Sequence, residues 1–219
     1  MSHHLDTVHS RSGTSSVKWE HLFEGKDLVH VSESSINGKE EILPLWVADM
    51  DFRCPPAVIT ALNERVAHGI FGYTRATDDY FESVVGWMAR RHDWAIKKEW
   101  ISLTPGVVPA LFMLVEEFTK PDEKILIQRP VYYPFTAAAE EKGRGLVTNT
   151  LKLVNGRYEM DFDDLAEKTA DPAVTMAILC SPHNPVGRVW TKEELTKFGD
   201  ICLQNNVLVI ADEIHHDLI

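Results

Sequence analysis

The sequence predicts an α/β fold, a mainly parallel sheet with helices on both faces, and three observations carry that prediction. Residues 207–211 form an unbroken apolar run, Val-Leu-Val-Ile-Ala, ending at Asp212. A run without alternation reads as a strand buried on both faces. From Lys124 onward, short apolar runs alternate with helical patterns of about 10–15 residues, the rhythm of βαβ units. Thr191 followed by Glu194 spells a capping box, which fixes the start of one of those helices.

Taken in order, residues 1–18 are polar, rich in Ser, Thr and His, and predict an extended arm. Residues 19–41 carry scattered aromatics without a sustained period, so loops and a short turn of helix are expected there. Residues 43–52 are apolar with two acids, Asp49 and Asp51. They read either as an extended segment tucked against a core or as the wall of an active site. Pro55-Pro56 opens a helix, since proline is tolerated in a first turn. Val58, Ile59, Leu62 and Val66 keep helical spacing, and Gly69 ends that helix.

An aromatic turn follows at residues 71–74. A second helix is predicted over 78–91, with Phe81, Val84, Val85 and Met88 on one face. Residues 100–104 predict a short strand entering Pro105-Gly106. The helix expected over 107–118 is apolar nearly all round until Glu116, which predicts burial. Strands over 124–128, 145–153, 174–180 and 207–212 then alternate with helices over 133–142, 161–168 and 191–204. The acids of residues 161–168 read as a solvated face. With no internal repeat and no low-complexity linker, the expectation is one α/β domain preceded by an N-terminal arm.

Composition bounds the function. The chain has 219 residues, 44% of them hydrophobic and 25% charged, ordinary for a globular protein with a real core. A net charge of -11 argues against a nucleic-acid backbone or an anionic membrane as partner. No apolar run spans a bilayer and the polar start is no signal peptide, so a cytoplasmic location is expected. Cys54, Cys180 and Cys202 are odd in number and lack paired metal-ligand spacing; they read as reduced thiols, the latter two as packing residues.

Three elements could hold one ligand. Gly106 precedes a helix whose first amides, on Val107 and Val108, have no intrahelical acceptor and lie at the positive end of the helix dipole. Alone, a glycine there is a tight turn. Residues 181–187, Ser-Pro-His-Asn-Pro-Val-Gly, follow a strand and hold Asn184 between two prolines, its amide able to donate and accept. Alone, this is an ordinary turn. Asp212 ends a strand where open α/β sheets bind ligands and needs a cationic or hydrogen-bonding partner. Together they offer an anion cradle, a hand for a ring oxygen and an acid for a ring nitrogen, the three polar groups of pyridoxal phosphate.

These residues resemble the fold-type-I pyridoxal-phosphate enzymes of the class I/II aminotransferase superfamily. Residues 46–52, 68–74, 181–190 and 212–218 most resemble its cystathionine β-lyase-like C–S lyase branch. The resemblance implies that Asp212 pairs with the pyridinium nitrogen, Asn184 donates to the ring phenolate, and Tyr132 stacks on the ring. Gly106, Val107 and Val108 would take the phosphate, joined by Tyr73 from a second subunit, so that a homodimer is implied. His215 stands three residues after Asp212 where many aminotransferases have tyrosine, in keeping with the lyase branch. The implied domains are an N-terminal arm with part of the small domain over 1–45 and an incomplete cofactor-binding large domain over 46–219.

The family's Schiff-base lysine is expected beyond Ile219, since the last lysine is Lys197, before Asp212. The sequence therefore reads as an N-terminal fragment, itself expected to be inactive. The implied reaction of the intact parent is α,β-elimination of cystathionine-type thioethers to thiol, pyruvate and ammonia, on an amino-acid substrate. A class I/II aminotransferase is the alternative, and a non-catalytic binding module a remote one. A nucleic-acid-dependent NTPase would explain Asp212-Glu213, but Gly25-Lys26 and Gly38-Lys39 lack the rest of a phosphate loop. Ser15-Ser16-Val17-Lys18 lacks the partners of a Ser-x-x-Lys nucleophile. Asp212, His215 and His216 are not predicted to bind metal, because adjacent residues on an extended segment point opposite ways.

Overall fold

A computed structural model describes residues 5–31 and 43–219. The chain falls into two compact units, residues 1–77 and 78–219.

In the first unit a short helix α1 (Val17–Glu20) leads into an antiparallel hairpin, β1 (His21–Glu24) and β2 (Asp27–His30). The hairpin corrects the expectation of loops from residue 19. Gly25, at φ +65°, supplies the two-residue turn, so Gly25-Lys26 is turn chemistry. The strands are only four residues each, too short to show a period. Residues 43–54 form no helix or strand, and their two acids are claimed locally. Arg11 pairs with Asp49 at 2.7 Å and with Asp51 at 2.8 Å; Lys18 and the indole N–H of Trp19 each reach Asp51 at 2.7 Å. Those donors, Lys18 foremost, hold the Asp51 carboxyl below its usual range. Helix α2 (Pro56–His68) starts on Pro55-Pro56 and ends at Gly69 in the left-handed region, as expected.

The second unit holds the sheet. Its order is β4 (Gly145–Thr150), β3 (Lys124–Arg129), β7 (Val174–Cys180) and β8 (Leu208–Asp212), all parallel. On one face α4 (Val107–Phe118) and α5 (Pro134–Glu141) place Leu111, Val115, Phe135, Ala138 and Ala139 against Ile125, Ile127, Met176 and Ile178. On the other, α6 (Phe162–Thr169) and α7 (Lys192–Gln204) place Leu165, Phe198 and Cys202 against Leu126, Ala177 and Leu179. Helices on both faces are what the sequence predicts. The α7 capping box is present in full, and Asp161 caps α6. Helix α3 (Asp78–His92) turns Phe81, Val84, Val85 and Met88 to its half-buried side.

Four expectations are corrected here. Strand β8 is an edge strand, not a doubly buried one: Leu208 is 42% exposed and Ala211 is also exposed. Apolar content lets a strand be buried, but neighbours decide whether it is. The same reason applies to α4, which buries Leu111 and Val115 while Met113 and Phe118 are exposed. Residues 101–104 form no strand, because no described strand pairs with them. The run 145–153 breaks at Leu151 into β4 and a separate β5 (Lys152–Val154), which pairs antiparallel with β6 (Arg157–Glu159). Gly156 at φ +78° and Asn155 at φ +49° make that turn.

Cys180 and Cys202 are buried and Cys54 exposed, all unpaired. Burial pushes the Cys180 and Cys202 thiols up to about 11, so both pack rather than react.

Candidate cofactor site at the carboxyl edge of the sheet

Parallel strands bring their carboxyl ends to one edge, and there the residues after β3, β7 and β8 meet. Asp212, the last residue of β8, lies in register with Cys180, the last of β7, and is 7% exposed. Its backbone carbonyl accepts the Ser181 N–H at 3.0 Å, and its Oδ1 accepts the Ile214 N–H at 3.1 Å. The carboxyl group is thus held by one backbone donor. The loop after β3 joins the loop after β7 through the Tyr132 N–H, which donates to the Asn184 carbonyl at 3.0 Å.

Burial raises the Tyr132 phenol, and the charges of Tyr133 and Asp212 raise it further. Cys180 feels both the Asn184 backbone N–H and the Asp212 charge. Tyr132, Asn184 and Asp212 share one corner.

The Asn184 loop has a frame that sequence reading missed. Ser181-Pro182 and Asn184-Pro185 are cis, as is Arg129-Pro130. His183, 2% exposed, has Nε2 at 2.9 Å from the Pro130 carbonyl, so Nε2 carries the hydrogen and donates. Burial holds this imidazole below its ordinary value. The ring stands edge-on to Trp190 at 5.5 Å, and the Trp190 N–H donates to the Cys180 carbonyl at 2.9 Å. Arg188 lies over Trp190, forks onto Glu194 at 2.7 and 2.8 Å, and donates to the Tyr158 carbonyl. The signal was present: an Arg six residues before a capping-box Glu. With its backbone so fixed, Asn184 keeps a half-buried side-chain amide that hydrogen-bonds to nothing among the described residues.

The start of α4 lies at the same edge. Its far end is fixed by Arg144, which donates to the Thr119 carbonyl at 2.7 Å and stands just before Gly145, partner of the first residue of β3. Twelve helical residues span about 18 Å. Six extended residues of β3 span about 20 Å. The helix running back along the sheet thus starts near the strands' carboxyl ends. Gly106, at φ +144° and ψ 167°, occupies a conformation that favours glycine. Thr104 Oγ1 donates to its carbonyl at 3.0 Å. The amides of Val107 and Val108 precede the first helical bond, from Ala110 to Gly106 at 3.2 Å, and Pro109 carries no N–H.

His215 is half-buried and immediately precedes a 3-10 turn, His216–Leu218; its ring makes no hydrogen bond among the described residues. Tyr73 belongs to the first unit, fully exposed, at φ +48°. A hollow of about 680 Å³ in the first unit is lined by residues such as Leu5, Val8 and Trp19 and carries none of these site residues.

Comparisons with known proteins agree with this architecture. The family model "Aminotransferase class I and II" matches residues 40–219. The chain is 46% identical over 214 residues to cystathionine beta-lyase PatB of Bacillus subtilis, covering 98% of this chain and 52% of that protein. Among solved structures it resembles cystalysin from Treponema denticola, which contains a pyridoxal 5'-phosphate cofactor, with TM-score 0.86 and 40% identity over 96% of this chain and 51% of that one. It also resembles the cofactor-bound C–S lyase from Staphylococcus hominis, with TM-score 0.82 and 34% identity over 97% of this chain and 51% of that one. The chain spans about half the length of the curated relatives it matches. With its parallel sheet, its carboxyl-edge corner and a family match over 180 of its residues (40 through 219), this chain belongs to the class I and II aminotransferase family.

Proposed function

We propose that this chain is the cofactor-binding portion of a pyridoxal-phosphate-dependent C–S β-lyase, which eliminates thiol from cystathionine-type thioethers to leave pyruvate and ammonia. The observation that supports the reading most is the carboxyl edge of the sheet, where the buried Asp212 and the loop of Asn184 adjoin through the Ser181 and Tyr132 backbone bonds, with the length of α4 carrying its start toward the same edge. These donors fit the cofactor: Asp212 pairs with the ring nitrogen, Asn184 donates to the ring phenolate oxygen, and Tyr132 covers a ring face. The Val107 and Val108 amides take the phosphate, with Gly106 letting the backbone approach. His215, half-buried three residues after Asp212, would be free to serve the cofactor's polar edge. Bound there, the cofactor supplies an electron sink for carbanion chemistry at the substrate α-carbon.

Among the lysines of the second unit, Lys98, Lys124, Lys142, Lys152 and Lys168 each pair with an acid, and Lys97 and Lys197 lie over the rings of Trp100 and Phe162. A lysine that bonds the cofactor would come from the remainder of a longer protein, and these 219 residues alone would hold the cofactor without turnover. The active form is a homodimer in which the partner copy brings its residue 73 to the phosphate; the full exposure of Tyr73 and the partial exposure of Val58, Ile59, Leu62 and Val66 on α2 support this. Among the described residues no helix is long and apolar enough to cross a membrane, and a cytoplasmic setting suits the acidic chain.

The lyase reading rests on the full reading frame releasing pyruvate and thiol from L-cystathionine. Amino transfer to a 2-oxo acid without pyruvate would favour the aminotransferase reading, which the family model's own description keeps in view. Asp212→Ala and Asn184→Ala are each expected to weaken cofactor binding by about 10- to 100-fold, the loss of one charge-assisted hydrogen bond. Unchanged affinity in both variants would leave only a binding module of another kind.

A further inference from the structure

The turn after β8 meets the end of α3 in a cluster that the cofactor corner does not use. Trp87 Nε1 donates to Asp217 Oδ1 at 3.1 Å, and His92 Nε2 lies 2.7 Å from the same oxygen. His216 Nε2 lies 3.5 Å from it, and the two imidazole rings stand edge to face with centroids 4.5 Å apart. One ligand atom from each of His92, His216 and Asp217 falls within 4.8 Å of the other two.

We propose that His92, His216 and Asp217 form a binding site for a divalent transition-metal ion, with zinc the best match. Tetrahedral zinc holds its N and O donors at about 2.0–2.2 Å, which sets them roughly 3.3–3.5 Å apart. The His216–Asp217 separation of 3.5 Å already satisfies this. Binding would require the 2.7 Å contact between His92 and Asp217 to widen to that spacing and the ligand nitrogens of the two histidines, now within 4.8 Å, to approach it.

The outer contacts are those a metal site needs. His216 Nδ1 lies 2.6 Å from the Glu213 carbonyl, which can only accept, so Nδ1 carries the hydrogen and Nε2 presents its lone pair outward. The Trp87 N–H orients the carboxylate in the same way. Two imidazoles and one carboxylate suit zinc, whereas calcium and magnesium take oxygen ligands. The partly exposed position leaves a fourth site for water. The ion replaces the hydrogen that bridges His92 Nε2 and Asp217; that hydrogen moves to His92 Nδ1, or to solvent from the imidazolium. The site would staple α3 to the segment that leaves Asp212.

The experiment is a calorimetric titration of the 219-residue chain with Zn²⁺, repeated with Co²⁺ while its visible absorption is recorded. A His3→Ala/His4→Ala background removes the paired histidines of the N-terminus. One ion per chain is expected, with an intense Co²⁺ band of low coordination number and no competition from Mg²⁺. His92→Ala and His216→Ala should each weaken Zn²⁺ binding at least tenfold. His216→Ala keeps the bonds of Trp87 and His92 to Asp217, so its fold, checked by circular dichroism, survives the test. Zn²⁺ should also protect His92 and His216 from diethylpyrocarbonate, mapped by mass spectrometry. Absence of saturable binding, or binding that both variants leave intact, overturns the proposal.

Discussion

Strands β7 and β8 lie side by side in register, from Met176 opposite Leu208 to Cys180 opposite Asp212. Both are short apolar runs, yet they live in different surroundings. In β7 every residue but Thr175 is buried, whereas β8 buries only Asp212. Composition does not separate them; position does. β7 has a strand on each side and helices above and below, and among the described residues β8 has one strand neighbour. The loops that follow show the same contrast. After β7, His183 is buried and its backbone N–H donates to the Arg188 carbonyl at 2.7 Å. After β8, His215 and His216 are half-exposed, at the cap and the first position of a single 3-10 turn.

Asn184 is presented half-buried by the framed loop, and Asp212 is the one buried residue of a strand otherwise exposed or half-buried.

The sharpest way to break this comparison is to truncate equivalent side chains. Ile178→Ala in β7 should cost about 2–5 kcal/mol in chemical denaturation, because its 1% exposed side chain leaves a cavity in a packed core. A loss below about 1 kcal/mol would mean that the centre of the sheet is no better packed than its edge.

The two loops should next differ in their response to pH. Burial lowers the His183 value beneath its ordinary 6.5, so the unfolded chain takes up the proton first. The stability tied to this group is therefore complete above about 6.5 and is lost as pH falls through the lowered folded value. His183→Gln keeps a side-chain N–H for the Pro130 carbonyl and should flatten that part of the stability–pH curve, read by thermal unfolding between neutral and mildly acidic buffer. An unchanged slope would place the acid sensitivity elsewhere.

The smallest effect belongs to the edge. Leu208→Ala, at a side chain already 42% exposed, should shift stability by less than about 1 kcal/mol. Leu208→Lys should leave folding intact while lowering concentration-dependent light scattering, because a charge on an edge strand discourages pairing with another chain. Equal scattering by the two proteins would show that β8 is not the sticky surface.

Much of this fold is legible along the chain. Helix starts at Pro55-Pro56, Asp161 and Thr191, and strands at 124 and 174, are written in residues that act on their own neighbours: caps, prolines and short apolar runs. Asp212 and Asn184 can be singled out for the same reason, since each punctuates the end of a strand. The two hairpins escaped because strands of three or four residues carry no period, only a turn and a partner.

Other features belong to tertiary structure alone. The burial of β7 against the exposure of β8, and the one-sided burial of α4, depend on which surfaces come next to them. The frame of the Asn184 loop needs His183 to reach Pro130, 53 residues away in the chain. The cluster at Asp217 needs His92, which lies 125 residues before it. The sequence by itself determined the elements and their termini, because hydrogen-bond capping and hydrophobic period act over a few residues. Only the packed structure decided which apolar faces are covered and which distant polar groups meet, because those depend on contacts that no local pattern encodes.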